Sequence, residues 1–307
     1  MSTRPRAPAT IEDVIGSVAL WQGHSVKATP LPGGLTNSNF VVEVDQCKYV
    51  VRIPGEVTEL LAVDRHNELH NTRVAAAVGV GPKVVEYVPH LQAMVLEFIE
   101  AKTMSGTSLQ SPAMVRQMAE TIRQMHQGPR FLHDFNMFRL VEYYLEVVAE
   151  LNAPLPSHYL DRLDQVGQIE RALALQPLAL VPCHNDLLAE NYLYDGRRLW
   201  IVDYEYSGNN DPCFELGNTA QECAFGDELR EMLCEAYFGR TDPRLSARMN
   251  LQAVMSDVGW TLWAAIQAKI SRIEYDYWGW AVERWERATL AFESGLCASW
   301  TAQLTAD

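Results

Sequence analysis

The sequence lacks the features of several classes of protein. None of its uninterrupted apolar runs approaches the ~20 residues that a membrane-spanning helix needs. The N-terminal segment MSTRPRAPAT has no apolar stretch like that of a signal peptide. None of the six cysteines forms a C-x-x-C pair or a zinc-type spacing, which is typical of free thiols in a reducing compartment. We therefore expect a cytoplasmic protein that does not insert into a membrane.

Basic residues are also scarce. The chain has 25 lysines and arginines against 39 aspartates and glutamates, so its formal net charge is -14. Because proteins that bind nucleic acids usually carry basic surfaces, a polynucleotide partner is not expected. An acidic surface is compatible with a small cationic substrate, although it is also common among proteins of every function.

What is present is a change of pattern near residue 101. Before it, β-branched runs at Phe40–Val44 and Tyr49–Ile53 predict a hairpin within a small sheet, followed by one helix. After it, amphipathic helices predominate, and the first long one begins with Ser111 as cap and Pro112 in its first turn. The pattern predicts an α+β protein with a β-rich N-terminal lobe (residues 1–100) and a larger helical lobe (residues 101–307). A ligand is expected in the cleft between them.

A segment of strands interrupts the helical lobe at residues 183–210, with the sequence CHNDLLAENYLYDGRRLWIVDYEYSGNN. Asp195-Gly196 between two β-rich runs predicts a hairpin that brings Asn191 to the level of Asp203. Asp186 lies in the loop that enters this hairpin, so three side chains that offer oxygen atoms converge at one end. Hard oxygen ligands of this kind suit Mg²⁺ better than zinc.

The spacing within this segment matches that of phosphoryl-transfer enzymes. Protein kinases carry a catalytic loop H-R-D-x-x-x-x-N, followed by a metal-binding aspartate. Here four residues separate His184-Asn185-Asp186 from Asn191, and Asp203 follows. This spacing predicts that Asp186 takes the proton of a substrate hydroxyl, that Asn191 and Asp203 bind magnesium, and that His184 braces the loop. The alternative is a turn-rich loop in which the asparagines act as caps.

The segment resembles the corresponding motif of kinases that phosphorylate small molecules, the superfamily of aminoglycoside phosphotransferases and choline kinases. HNDL is the form of the choline/ethanolamine kinase branch, and VDYEYSGNNDPCFELGNTAQE resembles the choline kinase motif that follows it. The matching residues are Asp203, Glu205, Tyr206, Asn210, Asn218 and Glu222. Glu215 departs from the aspartate that is usual in the family, and we expect it to brace the loop. The resemblance implies a bilobal protein-kinase-like fold and the use of ATP and Mg²⁺.

The N-terminal lobe contains a candidate phosphate-binding loop. Gly33-Gly34, followed by Thr36 and Asn37, can bring backbone N–H groups close to a phosphate, because glycine has no side chain to block the approach. The segment resembles the short glycine loop of choline kinases. Such turns are also common in ordinary hairpins, so the motif alone is a weak signal.

The resemblance implies further nucleotide-binding residues. Arg52 stands where protein kinases carry the strand lysine that holds the α- and β-phosphates, and Glu68 on the following helix is its implied partner. The alternative is that Arg52 is a surface charge on an edge strand. By the same resemblance, backbone groups near Glu97 and Ile99 are expected to bind adenine.

Aromatic residues are concentrated near the C-terminus, where Trp260 and Trp263 share one face of a predicted helix. Most such residues simply pack in a core. The alternative is an aromatic cage for a quaternary ammonium group, which cannot donate a hydrogen bond but is attracted to ring faces. By resemblance to choline kinases, the pocket is lined by Trp260, Trp263, Tyr277 and Trp280, of which Trp280 replaces a usual tyrosine.

The resemblance adds Tyr206, beside the metal site, and Glu222, which is expected to supply the negative charge of the amine pocket. The sequence therefore predicts an ATP-dependent choline kinase. The alternatives are an ethanolamine kinase, another amino-alcohol or aminoglycoside phosphotransferase, and a pseudokinase that acts as a binding module. An aromatic pocket argues against aminoglycosides, and an intact set of metal-binding residues argues against a pseudokinase. The oligomeric state is left open, with a homodimer among the arrangements allowed.

Overall fold

The computed structural model describes residues 9–55 and 58–305. Its N-terminal part contains an antiparallel sheet with the strand order β1-β2-β3-β5-β4. The strands are β1 Val26–Leu31, β2 Asn37–Val44, β3 Cys47–Pro54, β4 Val84–Val88 and β5 Ala93–Glu97. The predicted hairpin is confirmed, because β2 pairs with β3 along its whole length.

Two helices accompany this sheet. Helix α1, Ile11–Ser17, buries Val14 among the apolar side chains of the strands. Helix α2, Arg65–Ala77, is capped by Asp64, whose carboxylate accepts hydrogen bonds from backbone N–H groups of the first turn. It ends before Gly79, whose φ of 84° favours glycine. Helix α2 carries the predicted partner of the strand arginine.

After β5, the chain leaves this sheet and enters a second one. Strand β6, Lys102–Thr103, pairs with β8, Tyr192–Tyr194, which pairs in turn with β9, Leu199–Ile201. Strand β7, Val181–Cys183, pairs with β10, Gly208–Asn210. The α+β class, with a β-rich N-terminal part and a helical C-terminal part, is confirmed. A lobe boundary between residues 100 and 101 agrees with the change of sheet and stays a prediction.

Helices make up most of the chain after β6. They are α3 Gly106–Leu109, α4 Pro112–His126, α5 Met137–Leu151, α6 Leu163–Leu175, α7 Pro212–Glu222, α8 Asp227–Phe238, α9 Pro243–Ile270, α10 Tyr277–Glu293 and α11 Leu296–Thr305. The predicted start of α4 is confirmed, since Ser111 caps it and proline occupies its first turn. Aspartates cap α7 and α9 in the same way, again followed by proline. Proline is tolerated there because the first turn leaves its N–H groups unpaired anyway.

Helix α9 forms the centre of the helical part. It has 28 residues, and its side chains are buried on nearly every face between α5, α7, α10 and α11. A helix that is buried all round belongs to a protein core or a membrane. Within the described ranges, no helix combines the length and the apolar character needed to cross a bilayer. The core position of α9 fixes Trp260 and Trp263 relative to α7 and α10.

The close crossing of α7 and α9 can be tested at Gly217. A Cβ atom there would lie 2.6 Å from the carbonyl oxygen of Met249 and 2.7 Å from the backbone nitrogen of Ala253. Because backbone cannot rotate away as a side chain can, we expect Gly217→Ala to lower the free energy of unfolding in urea by about 1–3 kcal/mol.

Gly16→Ala is the matched control for this prediction. Gly16 also lies in a helix, but a Cβ added there meets no atom within 4 Å. Alanine should therefore stabilise that helix, by up to about 1 kcal/mol. Equal stability of Gly217→Ala and the unchanged protein would contradict the tight crossing.

Candidate active site

The loop His184–Asn191, between β7 and β8, carries the predicted base. Asn185 has a left-handed backbone with a φ of 70°. Its buried side chain donates a hydrogen bond to the carbonyl oxygen of Tyr206 at 3.0 Å and accepts one from Asn210 at 2.9 Å. These bonds tie the loop to the segment that follows β9. They fix the backbone from which Asp186 projects.

Glu215 braces this loop, as expected. It lies fully buried in the first turn of α7. One of its carboxylate oxygens accepts the backbone N–H of His184 at 2.7 Å, and the other accepts that of Asn185 at 2.7 Å. The Nε2 atom of His126 lies 3.8 Å from the same carboxylate. A buried carboxylate is costly without such partners. Although an aspartate is usual here, the longer glutamate side chain keeps both contacts with the loop.

His184 is buried inside the loop, where it makes two structural hydrogen bonds. Its Nε2 lies 2.9 Å from the carbonyl oxygen of Val202, and the backbone N–H of Asp186 donates to its Nδ1 at 3.3 Å. Burial lowers the pKa of His184. A neutral imidazole with its proton on Nε2 satisfies both bonds, which agrees with the expectation that His184 braces the loop.

The hairpin of β8 and β9 brings the two predicted magnesium ligands to one end. The backbone carbonyl of Asn191 accepts the N–H of Val202 at 3.0 Å, and Asp203 follows directly. The side-chain Nδ2 of Asn191 donates to the backbone carbonyl of Asp186 at 2.8 Å, which leaves the amide oxygen for a cation. Asp203 has a φ of 74°, a costly conformation for a residue other than glycine, often found at functional sites.

The predicted base and the two predicted ligands therefore lie together. Burial raises the pKa of Asp186 well above its usual range, and the nearby charge of Asp203 raises it further. Burial also acts to raise the pKa of Asp203, but the guanidinium of Arg52 lowers it below its usual value. The individual roles of Asp186, Asn191 and Asp203 stay predictions.

Arg52 on β3 joins the N-terminal sheet to this site. Its Nη2 lies 2.5 Å from Asp203 and 3.1 Å from Glu205, and its Nε lies 2.9 Å from Glu68. The alternative of a surface charge is wrong, because Arg52 is buried. Burial acts to lower the pKa of Arg52, but the three carboxylates hold it well above its usual value. Removing one partner of such a buried pair typically costs about 3–5 kcal/mol.

A second arginine, Arg65, was not anticipated from the sequence. Its Nη1 lies 2.7 Å from Glu68 and 3.3 Å from Glu205, and its Nη2 donates to the amide oxygen of Asn37 at 2.9 Å. Arg65 and Glu68 are three residues apart on α2, a spacing at which side chains share a helix face. That spacing was the available signal.

The charges and atoms at this point fit a divalent cation. Two arginines face three acids, Glu68, Asp203 and Glu205, so one negative charge is in excess, and the carboxyl group of Asp186 lies nearby. The free amide oxygen of Asn191 and the carboxylate oxygens of the two aspartates are hard ligands, which Mg²⁺ prefers.

The predicted glycine loop packs against the same acids. Gly33 has a φ of 106°, and a side chain on Gly34 would overlap the carbonyl oxygen of Asn37, so both positions favour glycine. The hydroxyl of Thr36 donates to Glu205 at 2.6 Å, and the side-chain amide of Asn37 donates to it at 2.9 Å. Phosphate binding by the backbone N–H groups of the loop stays a prediction.

The predicted adenine site lies at the end of β5. The backbone N–H of Glu97 donates to the carbonyl oxygen of Lys83 at 2.9 Å, so this group is not available to a nucleotide. Ile99 follows in a segment that belongs to no helix or strand. The prediction of adenine binding therefore rests on the carbonyl group of Glu97 and the backbone of Ile99.

The aromatic side chains of the predicted amine pocket form one cluster around Trp263. Its ring centroid lies 6.5 Å from that of Trp260, 6.0 Å from that of Tyr277 and 5.3 Å from that of Trp280. Its indole N–H donates to the hydroxyl of Tyr206 at 2.7 Å. The rings meet edge to face, the arrangement that aromatic pairs favour. Core packing and a cation cage are both compatible with this geometry, so the substrate role of these residues stays a prediction.

Tyr277 also connects the cluster to the glycine loop. Its hydroxyl donates to the carbonyl oxygen of Leu35 at 3.1 Å, and the side-chain amide of Gln267 donates to the same oxygen at 3.2 Å. Leu35 lies between Gly34 and Thr36. The two predicted binding regions are thus in direct contact.

Glu222, at the end of α7, was expected to supply the negative charge of the amine pocket. One of its carboxylate oxygens accepts a hydrogen bond from the guanidinium of Arg284 on α10, and its role toward an amine stays a prediction. That guanidinium stacks on Trp280, with its central carbon 3.2 Å from the ring centroid. The charge of Glu222 is therefore paired within the protein, which the sequence did not reveal. The available signal was the spacing of Trp280 and Arg284, one helical turn apart.

The comparisons with known proteins show the family to which the chain is similar. The phosphotransferase enzyme family (APH) matches residues 27–248 of the chain. Ethanolamine kinase 2 of Rattus norvegicus is 30% identical over 302 residues, covering 87% of this chain and 76% of that protein. Probable choline kinase 2 of Arabidopsis thaliana is 26% identical over 326 residues, covering 94% of this chain and 90% of that protein. Relatives with this level of similarity thus carry the names of both amines.

A solved structure is similar to this chain over nearly its whole length. The choline/ethanolamine kinase family protein from Mesorhizobium loti has a TM-score of 0.83 and 33% identity to this chain, covering 94% of this chain and 96% of that one. The similarity therefore includes both the sheet and the helical part.

The brace of the catalytic loop can be tested with Glu215→Gln. An amide keeps one oxygen acceptor but turns its NH₂ group toward the second backbone N–H, so His184 or Asn185 loses its partner. We expect a loss of about 1–3 kcal/mol in unfolding free energy. Because the loop would shift, kcat should fall by about 10- to 100-fold, as measured by release of ADP.

Glu215→Asp is the control, because it keeps both acceptor oxygens and is the residue usual in the family. It should retain more activity than the amide variant. The brace would be excluded if Glu215→Gln were as active and as stable as the unchanged protein.

Proposed function

This chain belongs to the phosphotransferase enzyme family and, within it, to the choline/ethanolamine kinases, and on that basis we propose that it transfers the γ-phosphate of ATP to the hydroxyl group of choline. The products are phosphocholine and ADP. The observation that carries the proposal is the meeting of Asp186, Asn191 and Asp203 at one end of a hairpin, next to Arg52. The relatives support the coarser statement, a kinase for an amino alcohol.

The proposed chemistry depends mainly on positioning and charge. Phosphoryl transfer requires an oriented hydroxyl and stabilisation of the negative charge on the phosphates. Asp186 orients the hydroxyl of the substrate and accepts its proton. Arg52, held by Glu68, binds the phosphates of the nucleotide. Asn191 and Asp203 would hold Mg²⁺, which would supply further neutralisation of the phosphate charge.

The glycine loop and the end of β5 complete the proposed nucleotide site. Backbone N–H groups of Gly33, Gly34 and Thr36 approach the phosphates, and the backbone of Glu97 and Ile99 contacts adenine. The side chains of Thr36 and Asn37 hold the loop through Glu205, which supports an arrangement built before the nucleotide binds. Such preorganisation lowers the cost of ordering the loop on binding.

Choline is proposed as the substrate because aromatic rings cluster around Trp263, beside Tyr206. A quaternary ammonium gains up to about 2 kcal/mol from a ring face when it is desolvated, and Trp260, Trp263 and Tyr277 offer such faces beside Tyr206. Ethanolamine is the second candidate, favoured by the similarity to ethanolamine kinase 2. A primary ammonium requires hydrogen-bond acceptors, and the nearby carboxylate of Glu222 is paired with Arg284.

The direct test is an assay of ADP release from Mg·ATP with choline and with ethanolamine, combined with identification of the phosphorylated product. We expect a kcat/KM for choline at least tenfold above that for ethanolamine. The reverse preference would assign the enzyme to ethanolamine. No release with any amino alcohol would reject the kinase and favour a binding module.

Substitution of Asp186 tests its proposed role as the base. Asp186→Asn keeps the shape of the side chain but cannot accept the proton of the hydroxyl. Because general base catalysis contributes about 10²–10⁴-fold, kcat should fall by that factor, while the Kd for ATP measured by calorimetry stays within about threefold. Asp195→Asn, in the turn of the hairpin, is the control and should keep its activity. Full activity of Asp186→Asn would contradict the assignment.

Substitution of Trp263 tests whether the aromatic cluster binds the amine. Trp263→Leu removes the ring face, and we expect the KM for choline to rise about tenfold or more, within the ~2 kcal/mol that one ring contributes. The KM for ATP should change less than about twofold. Trp263→Phe keeps a ring face and should lie close to the unchanged protein. Equal increases of both KM values would indicate that the cluster only packs the core.

A further inference from the structure

Arg284 places a resident cation in the region where the proposed function requires the substrate ammonium to bind. Its side chain is only 2% exposed. One face of its guanidinium covers the ring of Trp280, 3.2 Å from the centroid, and its Nη2 donates to Glu222. The consequence for the substrate depends on which charges and ring faces remain free.

Two acidic groups near the cluster, Glu222 and Asp257, are already matched by arginines. The second carboxylate oxygen of Glu222 makes no hydrogen bond among the described residues, and Nη2 of Arg287 lies 3.8 Å from it. Asp257, one turn before Trp260, lies 2.5 Å from Arg287. Neither acid therefore adds a net negative charge to the pocket.

Arg284 also occupies one of the ring faces of the cluster. Arg284 covers one face of Trp280, so this face is not available to a ligand while the arginine is present. Trp260, Trp263, Tyr206 and Tyr277 do not contact Arg284 in this way. An ammonium group that enters the cluster would meet these rings, while the charges of Glu222 and Asp257 are balanced by arginines.

We propose that Arg284 is a specificity-determining residue that acts through Glu222. By pairing with one oxygen of the carboxylate, it neutralises the negative charge that a primary ammonium would otherwise meet. A quaternary ammonium has no N–H to donate and loses little from this pairing, since its attraction comes from ring faces. Arg284 thus biases the amine site toward choline and away from ethanolamine. This inference rests on the proposed function.

The test compares two substitutions of Arg284 by the ratio of kcat/KM for ethanolamine to that for choline. Arg284→Gln removes the positive charge and frees the carboxylate, so the ratio should rise at least tenfold. Arg284→Lys keeps the charge near Glu222, and the ratio should stay within threefold of the unchanged protein. The KM for ATP should stay within twofold in both variants, because a merely structural defect would affect both substrates.

Arg248→Gln is the matched control. Arg248 is also a buried arginine paired with an acid, with its Nε 2.6 Å from Asp211, but it contacts none of the aromatic residues of the cluster. Its substitution should lower stability and leave the amine ratio unchanged. A shift of the ratio in this control equal to that in Arg284→Gln, or a folded Arg284→Gln with an unchanged ratio, would overturn the inference.

A double variant keeps the inference testable if Arg284→Gln does not fold. Removing both charges of a buried pair is better tolerated than removing one, so Glu222→Gln with Arg284→Gln is the second choice. If Arg284 cancels Glu222, the amine ratio of this variant stays within threefold of the unchanged protein. A tenfold increase in the KM for choline would show that Glu222 acts on the amine directly and would overturn the inference.

The failure of this inference differs from the failure of the proposed function. Calorimetry of choline and ethanolamine with the unchanged protein, without ATP, measures amine binding independently of transfer. Absence of both binding and transfer would reject the proposed function. Preference for choline in the unchanged protein, kept in Arg284→Gln, would reject only the role of Arg284.

Discussion

The contacts of Arg52 with Glu68, Asp203 and Glu205 are the interaction on which the site depends. They join β3, α2 and the segment after β9, which are distant in the sequence. A buried charge without a partner is strongly unfavourable, so each member of the group requires the others. This mutual requirement holds the sheet against the helical part. It also keeps Asp203 next to the loop of Asp186.

The loop itself is held by hydrogen bonds between backbone groups and buried side chains. Asn185 and Asp203 adopt left-handed conformations, which persist only where surrounding contacts determine them. Glu215 supplies such contacts by accepting two backbone N–H groups of the loop. A site for phosphoryl transfer benefits from this arrangement, because reacting groups must be held within about 0.5 Å of a productive geometry. The positions of Asp186 and Asn191 are thus fixed by residues that take no part in the chemistry.

The aromatic cluster around Trp263 is built from ring contacts rather than from a network of charges. Aromatic rings converge around Trp263, while the carboxylates of Glu222 and Asp257 are matched by arginines. If the proposed amine binds here, ring faces attract it more than these two acids do. The hydrogen bond from Tyr277 to Leu35 also links this aromatic cluster to the glycine loop.

The sequence alone determined the features that depend on near neighbours in the chain. The β2–β3 hairpin, the cap of α4 at Ser111 and the spacing of Asp186 and Asn191 were all predictable, because turn geometry and helix periodicity act over a few residues. Only the tertiary structure decided the pairing of Glu222 with Arg284, the contact of Arg65 with Glu205, and the loss of the Glu97 N–H to Lys83. The first two pairings join segments that are far apart in the chain and depend on how α2, α7 and α10 pack, and the third depends on the register of β4 against β5, which local patterns do not encode.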